Sequence, residues 1–310
     1  MINSRIKDLK NLFNKENIDG YVVPKNDEFF SEFSKIDRLK IISNFSGSAG
    51  YAIILKKKNY LFVDGRYTIQ AQIESGKNFI ITEYHKIVNC NLFKNLTLGI
   101  NPKLFTSNQI KKFFLKNNKI KLIKTDLIKQ NSKKKLNNLR PFFSLDELIV
   151  GESHKKKINK IINFLKENKS NFIFITAPEN VAWLLNIRGY DNPNSPIPNC
   201  HLLLDSKKNL YLIANKQKTK KLVKENKIKS NQIIEPNNFR LLIQKLMGNK
   251  IIIDSKTCSL FYENILKTKF KVLSKEDPIY MLKAIKNKKE ISNMINAHIS
   301  DGLALTKFLY

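Results

Sequence analysis

The sequence predicts an α/β protein built from two tandem domains, each a mixed sheet flanked by helices, and three observations point there. Helical and extended apolar patterns alternate along the chain. Two β-hairpins with lysine-bearing turns stand in corresponding places, and the whole plan recurs at an offset of roughly 150 residues, as a duplicated unit would. The length of 310 residues agrees, because a domain takes about 100 to 200 residues.

Each element follows from its own pattern. Ile6, Leu9, Leu12 and Phe13 have helical spacing, and Asp19-Gly20 then turns into a strand over Tyr21 to Val23 that Pro24 closes. Gly47-Ser48-Ala49-Gly50 is a tight backbone turn opening a hairpin of Tyr51 to Leu55 and Tyr60 to Val63. A helix over Thr68 to Glu74, strands over Phe79 to Thr82 and Thr97 to Ile100, and a helix capped by Ser107 complete the first half. The second half repeats this order. A helix over Ser153 to Glu167 leads to a strand over Phe172 to Ile175, then a hairpin of Leu202 to Leu204 and Leu210 to Ile213, then Ile251-Ile252-Ile253 and a helix after Lys256. A linker is expected between Arg140 and Gly151, giving domains over 1–145 and 146–277. Pro278 opens a helix over Ile279 to Ile285. A longer helix over Lys288 to Tyr310 carries Ile291, Met294, Ile295, His298, Ile299, Leu303 and Leu305 on a broad apolar face, as the start of a third unit over 278–310.

Composition removes several classes of function. The longest apolar runs, such as Ile251-Ile252-Ile253, fall far short of the roughly 18 residues that a membrane span needs. The N-terminus has no apolar signal core, so a soluble, cytoplasmic protein without a membrane partner is expected. Cys90, Cys200 and Cys258 have no Cys-x-x-Cys spacing and read as ordinary reduced thiols. The net charge of +30 is the footprint of a nucleic-acid binder, yet arginine, the better phosphate and base reader, occurs only at positions 5, 38, 66, 140, 188 and 240. The runs Lys56 to Lys58, Lys133 to Lys135 and Lys155 to Lys157 carry no interleaved aromatic ladder. They read as solvated surface, and no nucleic-acid partner is expected. The histidines His85, His154, His201 and His298 form no metal-binding spacing. Neither a serine nucleophile elbow nor a phosphate or dinucleotide loop is present.

Four stretches, in order, carry a resemblance: Asn44 to Gly50, Phe62 to Tyr67, Ala182 to Asp191, and Lys286 to Glu290 with Ala297 to Gly302. Together they resemble the aminopeptidase P branch of the creatinase/prolidase family, in its form with two N-terminal domains before a metal-binding "pita-bread" domain. The resemblance implies a metal-dependent Xaa-Pro aminopeptidase that removes the residue preceding proline from short peptides, probes its substrates through a gate formed by the N-terminal domains, and assembles as a homodimer. It implies two divalent metals, manganese, in the complete enzyme, because two cations held about 3.5 to 4 Å apart ionise a bridging water near neutral pH. The family's aspartate, histidine and glutamate ligands lie beyond Gly302, and the chain ends at Tyr310 before the first of them. The chain by itself is therefore expected to hold no metal ligands and to be inactive, as a truncated form of the enzyme.

Two residues take roles from that resemblance. His298 matches a family histidine beside the metals that assists substrate positioning or proton transfer, in a complete enzyme only; its alternative is a half-buried residue on an apolar helix face. Arg66 matches an arginine reaching toward substrate, where it pairs with a carboxylate or backbone carbonyl; its alternative is an ion pair with Asp64 that stabilises a turn. Arg188 and Asp191 are candidates for the rim of the cleft, against a purely local role beside a helix stopped by a glycine-bearing turn. Two other functions stand beside the peptidase: a non-catalytic interaction module from a split gene, and a basic nucleic-acid-binding protein.

Overall fold

The computed structural model describes residues 2–31, 36–87, 93–114, 117–128 and 139–310. Cys90 and the Lys133 to Lys135 run lie outside the described residues. The chain divides into two compact units: the first takes in Met1–Asn138, Asn192–Asn194 and Ser255–Thr268, the second Leu139–Asp191, Ser195–Asp254 and Lys269–Tyr310.

In the first unit, α1 (Ile2–Asn11), β1 (Gly20–Pro24), α2 (Arg38–Ser43), β2 (Gly50–Leu55), β3 (Asn59–Val63), α3 (Thr68–Ser75), β4 (Ile80–Glu83), β5 (Thr97–Ile100), α4 (Ser107–Phe113) and β6 (Lys119–Leu122) follow one another. The sheet order is β4-β3-β2-β1-β5-β6. The pairing of β1 with β2 and the β2–β3 hairpin are antiparallel, and the remaining three pairings are parallel. Helices on both faces explain why the central strands are continuous apolar runs: Ala52, Ile53 and Ile54 are all buried. Alternate residues feed two clusters, one around Leu9, Val23, Ile54 and Val63, the other around Val22, Ile53, Phe62 and Phe105.

The second unit repeats this topology. It begins with β7 (Phe143–Ser144), α5 (Glu147–Val150) and α6 (His154–Glu167), followed by β8 (Phe172–Ile175), α7 (Pro178–Leu185), β9 (Ile187–Arg188), β10 (His201–Asp205) and β11 (Leu210–Ile213). Then come α8 (Lys216–Lys224), β12 (Ile233–Ile234), α9 (Phe239–Lys245), β13 (Lys250–Ile253), β14 (Lys271–Ser274), α11 (Ile279–Ala284) and α12 (Lys288–Leu309), while α10 (Leu260–Lys267), between β13 and β14 in the chain, falls in the first unit. Its main sheet runs β12-β11-β10-β8-β13-β14, with antiparallel and parallel pairings in the same places as in the first sheet. Two tandem α/β units with mixed sheets are thus the architecture. The segment expected as a linker contains β7, which pairs with β9, and α5.

Two local expectations need correction. The cap of α4 is Thr106, not Ser107: its hydroxyl accepts from Gln109 N while Gln109 Oε1 accepts from Thr106 N, a reciprocal pair that satisfies two otherwise orphaned donors. The helix α7 is stopped by Asn186 in the left-handed region, at φ 53°, not by Gly189. Asparagine tolerates that conformation, and Asn186 Nδ2 also donates to Glu152 O at 2.8 Å.

Candidate functional site

In the first unit the carboxyl ends of β1 and β3 and the amino end of β2 share one edge of the sheet. An open cleft of about 280 Å³ lies there, with Lys25, Asn26, Ser48, Gly50, Asp64 and Tyr84 among its lining residues. Close packing makes this edge. A Cβ on Gly50 would stand 2.8 Å from the Phe62 carbonyl oxygen, and one on Gly47 only 2.2 Å from the ring of Phe45, which is itself fully buried. Small residues let the turn lie flat over that ring and against β3.

The two N-terminal motif stretches meet here. Ser46 N and Oγ donate to the two carboxylate oxygens of Glu74 at 2.8 and 2.7 Å. Gln70 Nε2 donates to both Ser46 Oγ and Glu74. Ser48 Oγ lies 2.9 Å from the Tyr67 hydroxyl, and Phe45 meets the Tyr67 ring edge-on at 5.9 Å. Burial pushes the Glu74 carboxyl up, but the Ser46 and Gln70 hydrogen bonds, with Lys40 nearby, bring it below the usual range. The turn is clamped with an anion at its back.

Arg66 sits on a one-turn 3-10 helix, Gly65–Tyr67, capped by Asp64. Its Nε donates to Asp64 Oδ1 at 2.9 Å and Nη2 to Oδ2 at 3.3 Å. These bonds hold the Asp64 carboxyl below its ordinary value. The turn-stabilising pair is therefore present, yet the arginine side chain is 75% exposed. Exposed pairs of this kind contribute little to stability, because solvent screens both charges.

In the second unit the other two motif stretches meet. Trp183 Nε1 donates to Glu290 Oε1 at 3.1 Å. Glu290 also closes a capping box with Asn287 that starts α12. Asn287 Nδ2 and Asn293 Nδ2 donate to Val150 O and Ile149 O at 2.9 and 2.8 Å. Beneath the indole lies Lys157, whose Nζ stands 3.9 Å from the ring centroid and donates to Trp183 O at 3.0 Å and Asn186 Oδ1 at 2.8 Å. Arg188 Nη1 turns back onto Ala182 O and Ile187 O, and Asp191 is buried against Lys218 and Asn199 N. Both are engaged in local hydrogen bonds or ion pairs.

A sequence profile described as creatinase/prolidase N-terminal domain matches residues 5–129, and a second with the same description matches residues 132–290, half of the chain. The chain belongs to the creatinase/prolidase N-terminal domain family. Its relatives include a probable Xaa-Pro aminopeptidase P of Coprinopsis cinerea, 29% identical, covering 97% of this chain and 53% of that protein. Xaa-Pro aminopeptidase 1 of Dictyostelium discoideum is 29% identical over 99% of this chain and 53% of its own length. The crystal structure of an X-prolyl aminopeptidase from Caenorhabditis elegans, described as a cytosolic enzyme with a di-nuclear active site, superposes with a TM-score of 0.86 at 23% identity, over 100% of this chain and 55% of its own. The chain spans about half the length of the curated relatives it matches.

Of the expected site residues, Arg66 belongs to the first unit and His298 to the second. His298 stands exposed on α12, with Ile291, Met294, Ile295 and Ile299 around 50% exposed or more beside it. Among the described residues no three His, Cys, Asp or Glu side chains come together as a metal centre. The other histidines are dispersed: His201 is buried with Nδ1 3.0 Å from Thr176 O, His154 meets Lys227, and His85 meets Glu83. No helix among the described residues is long and apolar enough to cross a membrane.

The residue that sequence reasoning misplaced is Lys157. Read as part of a solvated basic run, it is 1% exposed. Burial pushes its ammonium down to about 8, with Glu290 and Glu152 pulling upward and Arg188 and Lys160 adding to the fall. The signal was in the spacing: Lys157, Ile161 and Leu165 form one i, i+4, i+8 stripe, and both isoleucine and leucine are buried.

Proposed function

We propose that this chain supplies the two non-catalytic N-terminal domains of an Xaa-Pro aminopeptidase, a cytoplasmic, metal-dependent enzyme that removes the residue preceding proline from short peptides. These domains shape substrate access and homodimerisation. Arg66 receives a substrate carboxylate or backbone carbonyl, a task suited to a planar guanidinium with several donors. His298 assists substrate positioning or proton transfer only where a catalytic domain stands beside α12. The single observation that supports the reading most is the run of relatives described as Xaa-Pro aminopeptidases that align with 97% and 99% of the chain, both N-terminal domains and α12 included.

Among the described residues no three His, Cys, Asp or Glu side chains come together as a metal centre. The two divalent ions, manganese in this proposal, belong to the catalytic domain, and no step is routed through them here. What the chain's own residues do is recognise and admit. Joining the chain to the catalytic half of the Dictyostelium relative tests this. The chimera should hydrolyse short Xaa-Pro peptides with manganese while the 310-residue chain does not. Turnover by the chain alone, or a folded chimera inert toward such peptides, contradicts the proposal.

A further inference from the structure

We propose that Lys157 is the positioning residue of a proton-sensitive latch, which fixes the start of α12 on the second unit by orienting Trp183 toward Glu290. The inference stands on the second unit alone and does not rest on the peptidase reading.

The geometry leaves the lysine little freedom. Its Nζ is held by two carbonyl acceptors, Trp183 O and Asn186 Oδ1, at the end of α7. The same ammonium lies 3.9 Å from the indole centroid, within the range of a cation–π contact. An indole held on one face by a cation has its N–H direction set, and that N–H reaches Glu290 Oε1 at 3.1 Å. Glu290 Oε2 in turn accepts from Asn287 N, the first donor of α12. The chain of contacts therefore runs from α6 through α7 to the first turn of α12.

This root is where the helix meets the rest of the second unit. No residue of α12 is buried. Asn287, Glu290 and Asn293, which bond to the rest of the unit, lie in or beside its first two turns. His298 is eight residues beyond Glu290, about 12 Å along the axis at 1.5 Å per residue. A change of tilt at the root is carried to it.

The charges around Lys157 give the latch its sign. Glu290 from α12 and Glu152 from the segment before α6 favour the ammonium, while Arg188 from β9 and Lys160 from α6 oppose it. Because Glu290 favours the proton on Lys157, the protonated lysine favours Glu290 in place by the same amount. Deprotonation removes that attraction and the cation–π contact, although the neutral amine still donates to its two carbonyls. The latch weakens as pH rises, and burial brings the transition down to about pH 8.

Trp183 is the single tryptophan of the chain, so its emission reads this site alone. Between pH 6.5 and 10, chosen to bracket the titration, the wild-type emission should change with one midpoint near 8. The midpoint should fall in Glu290→Gln, and the transition should vanish in Lys157→Met and in Lys157→Arg, which keeps the charge but does not titrate. Trypsin should cut after the exposed Lys286, Lys288 and Lys289 several-fold faster at pH 9 than at pH 7, relative to a free peptide of the same sequence, with Glu290→Gln already fast at pH 7. Far-UV circular dichroism verifies folding, and the Arg and Gln variants carry the test should the Met variant not fold. A flat wild-type emission profile, a transition that survives in Lys157→Met, or equal relative cleavage at both pH values overturns the latch.

Discussion

The two units share a six-stranded topology but use their family-like stretches in opposite ways. In the first, Ser46, Ser48, Tyr67 and Glu74 build an exposed rim, and Arg66 projects from it with three quarters of its side chain in solvent. In the second, Asp191 and Asn186 are buried, Arg188 folds back onto backbone carbonyls, and Trp183 leans on a buried lysine. One fold thus carries a surface that can meet a ligand in one copy and an internal brace in the other. A motif marks where residues gather; burial decides what they are free to do.

The contrast is broken most readily from the buried side. Asp191→Ala should destabilise the second unit by about 3 kcal/mol in urea titration, because it leaves the half-buried Lys218 ammonium without the carboxylate that it pairs with. A loss below about 1 kcal/mol, the scale of an exposed pair, would mean that Asp191 is not an internal brace. Next comes acid. Burial holds His201 down to about 4 from an ordinary 6.5, so the unfolded chain binds the extra proton between those values. The stability it contributes is whole above about pH 6.5 and is lost as pH falls through 4, on the order of 3 kcal/mol at about 1.4 kcal/mol per unit. Asp277 acts with the opposite sign, since burial raises it to about 6 and its contribution is lost as pH rises. Comparing wild type with His201→Gln isolates the histidine, and an unchanged acid slope in the variant refutes its part.

In the first unit the expected losses shrink. Gly50→Val drives a Cβ against the Phe62 carbonyl oxygen at 2.8 Å and should cost about 1–3 kcal/mol, an overpacking penalty. Thermal melts read it directly, and a neutral result would show that the β2–β3 edge can yield. Arg66→Ala should have the smallest effect of the set, leaving the thermal melt close to that of wild type, as a solvent-screened pair predicts.

Much of this was legible in the sequence. Apolar runs at Ala52 to Ile54 and Leu202 to Leu204 are read directly because both faces of each central strand are covered. The hairpins and the duplication follow from turn chemistry and order. The cap at Thr106 was missed because two adjacent hydroxyl residues offer the same side chain, and only the reciprocal bond to Gln109 chooses between them. The stop at Asn186 was missed because a glycine three residues later is the commoner signal. Lys157 was missed because a run of three lysines hides which one shares a face with Ile161 and Leu165. The rim of the first unit was legible as two motifs but not as one place, since the contact of Ser48 with Tyr67 spans 19 residues of chain.

The central claim is that Arg66 stands exposed to serve a ligand and not the fold. Steady-state kinetics of the chimeric enzyme with Arg66→Ala, run beside a thermal melt of the same protein, test it most directly. The account predicts that kcat/KM for short Xaa-Pro peptides falls by about tenfold or more, the loss of one charge-assisted hydrogen bond, with the melting temperature unmoved. An unchanged kcat/KM, or a loss of activity that tracks a loss of stability, would contradict it.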